Sequence, residues 1–192
     1  MILRPVIDPR YVAQLTLLAG VAVTKALRSL YESDDIFIKW PNDILIDGRK
    51  ICGILSEMSL NEVGQVDYAV IGIGINVSLK ADDFPAELRQ TATSLNLATA
   101  KNHDCNKVLQ YVLLEFTRIY QEWLNTGMQS VIELWKRFNC TLGRKINVKD
   151  CDEIIFSGIA SAINEYGALI VQNSSGISKC FDFGEISIRP AE

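Results

Sequence analysis

Two lysines, an amide and a carboxylate crowd into one short stretch of this chain. It reads Lys39-Trp40-Pro41-Asn42-Asp43 and continues, after a turn, as Gly48-Arg49-Lys50-Ile51-Cys52-Gly53-Ile54-Leu55. A lysine ammonium is a compact cation suited to a carboxylate or to a phosphate under transfer, where it offsets developing negative charge. Asp43 is a candidate to hold a magnesium ion, which prefers carboxylate and phosphate oxygens. A solvated hairpin with ordinary surface charges is the bland alternative. A second stretch, Gly72-Ile73-Gly74-Ile75-Asn76, places glycines where a strand normally carries side chains. Glycine is depleted in strands, and two of them at spacing two clear one face for a ligand or a neighbouring backbone. The spacing is not that of a dinucleotide fingerprint, so a bulge or tight sheet packing stays open as an explanation. Asn76, just beyond, would either hydrogen-bond a ligand or cap a turn.

These residues need a scaffold, and hydrophobic periodicity supplies one. Val12, Leu15, Leu18, Ala19, Ala22, Ala26 and Leu30 repeat at helical spacing, which predicts a helix over 8–31 opened by Asp8-Pro9 as cap and first turn. Residues 36–40 and 44–46 read as short strands, and Asp47-Gly48 is a two-residue hairpin signal. The return strand covers 50–60, Asn61-Glu62-Val63-Gly64 turns the chain, and 67–77 completes an antiparallel meander. Residues 78–104 read as a loop with a short helix near 85–89 and another around Ser94. A long helix over 106–124, capped by Asp104, precedes Gly127 and a shorter helix marked by Val131, Leu134, Trp135 and Phe138. The expectation is an α+β fold, a mixed or antiparallel sheet with helices on one face. Past a boundary near 141–143 the pattern changes to strands at 145–149, 153–163, 168–172, 177–181 and 186–188, which predicts a small β-barrel leaning on the first domain. The expected domains are therefore 1–142 and 143–192. Trp123 and Trp135 lie on helical stripes and belong to the core; Trp40 is either a buried indole or a ligand contact.

Composition narrows the classes. Of 192 residues 48% are apolar and 22% charged, the balance of a globular protein and not of a disordered one. The net charge of -4 speaks against a dominant nucleic-acid surface. The most apolar run, 12–23, is shorter than the roughly 20 residues a bilayer span needs, so no membrane association is expected. Five cysteines at 52, 105, 140, 151 and 180 form no C-x-x-C pair, and His103 is the single histidine. No tightly bound structural metal is expected, and free thiols in a reducing cytoplasm are.

Three ordered blocks carry a specific resemblance: Lys-Trp-Pro-Asn-Asp at 39–43, Gly-Arg-Lys-Ile-Cys-Gly-Ile-Leu-Ser-Glu at 48–57 and Gly-Ile-Gly-Ile-Asn-Val at 72–77. Together they resemble the central motif series of the biotin protein ligase family, also called biotin–[acetyl-CoA-carboxylase] ligase. Leu3-Arg4-Pro5 is similar to the end of that family's early core strand. Gly143-Arg144, Gly167-Ala168-Leu169 and Gly184-Glu185-Ile186 are similar to its small SH3-like domain. The resemblance implies ATP- and magnesium-dependent formation of biotinyl-5'-adenylate, then transfer of biotin to a lysine of a carboxylase's biotin carboxyl carrier domain. By the same resemblance Lys50 contacts the biotin carboxylate and the adenylate phosphate, and Asp43 serves the reacting centre through metal or directly. Asn42 orders that loop, Lys39 adds to its field or forms a structural salt bridge, and Gly53, Gly72 and Gly74 line the biotin slot. Asn76 lies near the nucleotide phosphates and is, with Asp43, a candidate transient magnesium ligand.

The family also carries an early Ser/Thr-rich biotin-contacting stretch, a Gly-Arg-Gly-Arg-type loop and, in bifunctional members, a DNA-binding helix-turn-helix. None of these patterns occurs in this sequence. Since the missing loop would cover the anhydride and exclude water, the expectation is a catalytic domain without its N-terminal part, incomplete or inactive alone. A missing N-terminal fragment and a second copy of the chain are possible partners. A non-catalytic or split-ligase assembly module is the competing reading, and a lipoate–protein ligase the competing enzyme.

Overall fold

The computed structural model describes residues 1–151, 153–182 and 186–190. Its elements run β1 (Ile2–Leu3), α1 (Gln14–Tyr31), β2 (Ile36–Lys39), β3 (Asp43–Ile46), β4 (Arg49–Leu60), β5 (Val66–Ile75), α2 (Leu95–Thr99), α3 (Cys105–Thr126) and α4 (Gln129–Phe138). They continue as β6 (Lys145–Asp150), β7 (Glu153–Ile163), β8 (Leu169–Gln172), β9 (Ser178–Phe181) and β10 (Ile186–Pro190).

The first sheet has the order β1-β5-β4-β3-β2 with every pair antiparallel. Side chains alternate between faces along each strand, and directly paired residues share a face. The row Ile38–Ile44–Cys52–Ile75 therefore faces one way, and its first three members are buried under α1. At Gly20 the helix backbone comes against Ile38 and Ile44. The next row, Lys39–Asp43–Gly53–Gly74, faces the opposite way, clear of the helices.

α1 departs from the predicted single stripe. Leu17, Val21 and Val23 are as fully buried as Leu15, Leu18 and Ala22. A helix apolar all round is a core helix, and α3 and α4 close its far side. Lys25 and Glu115 make a 2.9 Å ion pair between α1 and α3, and Trp123 Nε1 donates to Gln14 Oε1 at 2.8 Å. Its start also differs from the expectation. Asp8 caps only a single 3-10 turn, Pro9–Tyr11, by accepting from the Arg10 backbone N–H. Bonds to the third residue back tighten this entry, Val12 to Pro9 and Leu15 to Val12, so α1 itself begins at Gln14.

The second sheet corrects the expected barrel. Its order is β10-β6-β7-β8-β9, all antiparallel, and it stays open. Closure requires the two outer strands to pair. Among the described residues β9 pairs with β8 alone and β10 with β6 alone, so the two outer strands do not meet. The sheet instead covers its apolar face, Val148, Ala160, Leu169, Val171 and Ile188, by joining the core of the first unit. Gly184 and Glu185 of the family-like motif lie outside the described residues.

Gly158 sits where β7 crosses β8 with no room for a side chain: a Cβ there would lie 2.3 Å from the Gln172 carbonyl oxygen. Neither partner is the free end of a flexible chain, so the strands themselves would have to part. Gly158→Ala should destabilise the protein by about 2 kcal/mol and lower the midpoint of thermal unfolding by roughly 4–8 °C. An unchanged midpoint in calorimetry would contradict this packing.

Candidate functional site

The register of β3 and β4 decides where Lys50 points. Asp43 pairs with Gly53 and Ile44 with Cys52, but Leu45 pairs with Lys50, leaving Ile51 as an extra residue. Without this bulge, strict alternation from Gly53 would send Lys50 to the helix-covered face. A β-bulge resets the alternation and re-aims the side chains beyond it, so Lys50 emerges on the face of Asp43 and Gly53. There its ammonium pairs with Asp43 Oδ1. A strap fixes the backbone at the same point: Lys50 N donates to Thr91 O at 2.8 Å and Thr93 N to Lys50 O at 2.9 Å.

Gly53 lies beneath this ion pair. A Cβ at that position would stand 3.3 Å from both Lys50 Cε and Nζ and 4.0 Å from Asp43 Oδ1. Gly72 and Gly74 continue the bare floor along β5, paired with Leu55 and Gly53. Together with Asn42, Ile54 and Ile73 they line an open depression of about 500 Å³. Asn42 shapes its rim: Nδ2 donates to Ile54 O at 2.7 Å, and Ile54 N returns a bond to Asn42 O at 3.0 Å.

Two predicted residues lie elsewhere. Asn76 gives its Nδ2 to Thr93 O at 3.1 Å, and its backbone bonds Ile51 and Leu95, so it braces the strap. Trp40 is fully buried and donates from Nε1 to Gly167 O at 3.0 Å; it does not line the depression. Cys52, beside the site in sequence, is on the covered face, where burial pushes its thiol up to about 12. Among the described residues no three His, Cys, Asp or Glu side chains gather to hold a metal ion.

Lys39, paired with Asp43 across β2 and β3, borders a feature that the motifs do not reveal. It is a pocket of about 420 Å³ between the two sheets, lined by Lys39, Arg144, Lys145 and Arg189 together with Leu45, Cys140 and Thr141. Four basic residues, from β2, β6 and β10 and the turn before β6, thus border one cavity whose remaining wall includes the apolar Leu45, Ile146 and Ile188. The segments lie about a hundred residues apart, and only the Gly143-Arg144 motif hints at one of them. Burial is the main force holding the Lys39 ammonium below the ordinary lysine range; Asp43 opposes it, and Arg189 and Lys50 add to it.

Known proteins resemble this chain in both sequence and fold. Residues 1–76 match the biotin/lipoate A/B protein ligase family, and residues 141–189 match the biotin protein ligase C terminal domain. The chain is 39% identical over 183 residues to the bifunctional ligase/repressor BirA of Bacillus spizizenii, covering 94% of this chain and 55% of the relative. It is 31% identical over 179 residues to the biotin–[acetyl-CoA-carboxylase] ligase of Paracoccus denitrificans, covering 92% of this chain and 73% of that one. The apo structure of Aquifex aeolicus biotin protein ligase superposes with a TM-score of 0.85 at 26% identity, covering all of this chain and 80% of the other. The structure of that enzyme in complex with biotin and ATP superposes with a TM-score of 0.81 at the same 26% identity, over 96% of this chain and 76% of that one. The chain thus spans little more than half the length of the bifunctional relatives it matches, 54–55%.

The depressed Lys39 value has a definite sign. Between it and the unfolded value of about 10.4 the unfolded chain binds more protons, so stability contributed at this residue rises with pH across that window. Any attraction of Lys39 for an anion fades over the same window. Carbon-13 titration of the lysine side chains should find Lys39 deprotonating earlier than an ordinary lysine, and a normal or raised value would contradict its burial.

Proposed function

The chain belongs to the biotin protein ligase family, and on that premise we propose that it activates biotin as its adenylate and passes it to a lysine of a carrier protein. One observation carries this reading: the Lys50–Asp43 pair stands over Gly53, at the end of a floor cleared by Gly72 and Gly74. A flat bicyclic head group fits a slot without side chains, with its carboxylate toward the ammonium.

The chemistry is two displacements. In the first, a biotin carboxylate oxygen bonds to the α-phosphorus of ATP, the bond from that phosphorus to the bridging oxygen of the β-phosphate breaks, and pyrophosphate leaves. In the second, an uncharged lysine amine of a biotin carboxyl carrier domain attacks the acyl carbon. AMP leaves with the electron pair of the acyl–oxygen bond, and the new amide nitrogen gives up a proton. Lys50 offsets the negative charge that accumulates between carboxylate and phosphate in the first step. Asp43 holds Lys50 in place and is the carboxylate at hand for a magnesium ion arriving with the nucleotide, since such ions take one or two carboxylates beside phosphate oxygens. Asn76 braces the strap through Nδ2, which would leave its Oδ1 as the side-chain atom for the ion. The pyrophosphate end of the nucleotide has its complement in Lys39, Arg144, Lys145 and Arg189.

The exposure of the floor favours a second reading. Gly72 and Gly74 are both exposed, and Leu55, on the same face, is 61% exposed. A mixed anhydride survives only where water is kept out. In this reading the chain supplies the binding floor, and a partner polypeptide supplies the cover. Pyrophosphate release on adding biotin and ATP to the pure chain separates the two: a burst of about one equivalent with the adenylate retained supports the complete enzyme, and no burst, or continuous release as the anhydride hydrolyses, supports the split module.

Removing the central cation should be far more damaging than removing its neighbour. Lys50→Ala should weaken binding of a non-hydrolysable biotinyl-adenylate analogue by about 10- to 100-fold, the range for a hydrogen bond to a charged group. Lys39→Ala, on the pyrophosphate side, should cost about threefold or less on the same scale. Calorimetry showing equal small losses would overturn the placement of the ligand, and preference for a lipoyl over a biotinyl analogue would overturn the choice of acid.

A further inference from the structure

One turn in the second sheet is held from three directions by the first unit. Asn164, Glu165, Tyr166 and Gly167 join β7 to β8, and Asn164 Oδ1 accepts from the backbone of Tyr166 and Ala168 at 3.0 and 2.9 Å. Gln14 Nε2 donates to Glu165 O at 2.7 Å. The Tyr11 ring stacks on Tyr166 with centroids 5.7 Å apart. Trp40 Nε1 donates to Gly167 O at 3.0 Å. Gln14 is itself held, since its Oε1 accepts from Trp123 on α3. Gln14 is only 4% exposed and Trp40 1%, so the first unit's side of these hydrogen bonds is buried.

The two sheets are also joined where the chain passes between them. Cys140 N donates to Ile38 O at 2.9 Å, and Trp40 N to Thr141 Oγ1 at 2.9 Å. A single attachment of this kind sets a distance but leaves the second sheet free to rotate about it. A second attachment removes that freedom. The turn lies about 10 Å along β7 from Ala160, the residue whose backbone exchanges bonds with Gly143 and Arg144. The orientation of the turn therefore sets the orientation of β6, of β10 beside it, and of the cations they carry.

We propose that Gln14 and Trp40 are positioning residues for the anion pocket. By gripping the turn at 165–167 they hold Arg144, Lys145 and Arg189 against Lys39, so that all four cations act on one polyanion. The inference rests on the reading of that pocket as the pyrophosphate side of the site. It predicts that residues remote from the pocket control its affinity through the angle between the sheets.

The test is calorimetric binding of inorganic pyrophosphate to the full chain at low ionic strength, arranged as a double-mutant cycle. Gln14→Met keeps the volume and removes both hydrogen bonds; Trp40→Phe removes the indole donor together with part of a buried ring. The double variant loses both side chain–backbone bonds to the turn, at Glu165 O and Gly167 O, and should bind pyrophosphate about tenfold more weakly. Arg144→Ala alone should cost a comparable factor, and in the Gln14→Met background it should cost little more, because the guanidinium is already displaced. Amide exchange at Tyr166, Gly167 and Ala168 should accelerate in the Gln14 and Trp40 variants while the melting profile stays cooperative. Full additivity of Gln14→Met and Arg144→Ala, or unchanged affinity in Gln14→Met with Trp40→Phe, would overturn the positioning role while leaving the pocket standing. Failure of the unaltered chain to bind pyrophosphate would remove the pocket itself, and the inference with it.

Discussion

The arrangement of this site depends on one extra residue. Ile51 has no partner in β3, and because of it Lys50 stands on the same face as Asp43 and Gly53. A strand alternates strictly, so a regular β4 would carry Lys50 into the layer beneath α1, where a charge without a partner is costly. The bulge converts a covered position into an open one and brings an ammonium onto a carboxylate. The strap at Thr91 and Thr93 then takes up the backbone groups of Lys50, so the distortion leaves those groups bonded.

Around that point the molecule divides its labour by face. The helix side of the first sheet is almost wholly apolar, and α1 fills it with residues buried in every direction. The opposite side holds glycines, an ion pair and the approach to the second sheet. Dense packing below keeps the strands still, and the bare upper face leaves room for a ligand. The two units meet through a few directed hydrogen bonds as well as apolar contact. Directed bonds set angles, which matters when cations from separate strands must converge.

Much of this can be read from the sequence because it is local. The meander of β3, β4 and β5 comes from alternation and from Asp47-Gly48, and the long helix with its Asp104 cap is found where periodicity puts it. Lys50, Asp43 and the glycines are close in space because they are neighbours across adjacent strands. The bulge is invisible, since nothing in Lys50-Ile51-Cys52 marks which residue will lose its partner. The cationic pocket is invisible for a different reason: Lys39 and Arg189 are brought together only by tertiary packing. The sequence leaves Trp40 open between core indole and ligand contact, and Asn76 between ligand and turn cap; only the tertiary hydrogen bonds to Gly167 and Thr93 show what Trp40 Nε1 and Asn76 Nδ2 bind within the chain. The second sheet reads as a barrel because five short strands are common to both forms. Whether the edges meet depends on strand lengths of one or two residues more.

α1 has a consequence for how the protein can be made and divided. It is synthesised before the elements that cover it, yet from Gln14 to Thr24 it is buried all round: one flank belongs to β2–β5 and the other to α3 and α4, whose last residue is Phe138. During translation it must therefore wait, uncovered, until more than a hundred further residues have left the ribosome. A cut after the last of the three motif blocks, near residue 77, would leave that helix permanently greasy along one side. The stretch from Gln14 to Phe138 is in this sense indivisible, although the recognisable motifs occupy less than half of it.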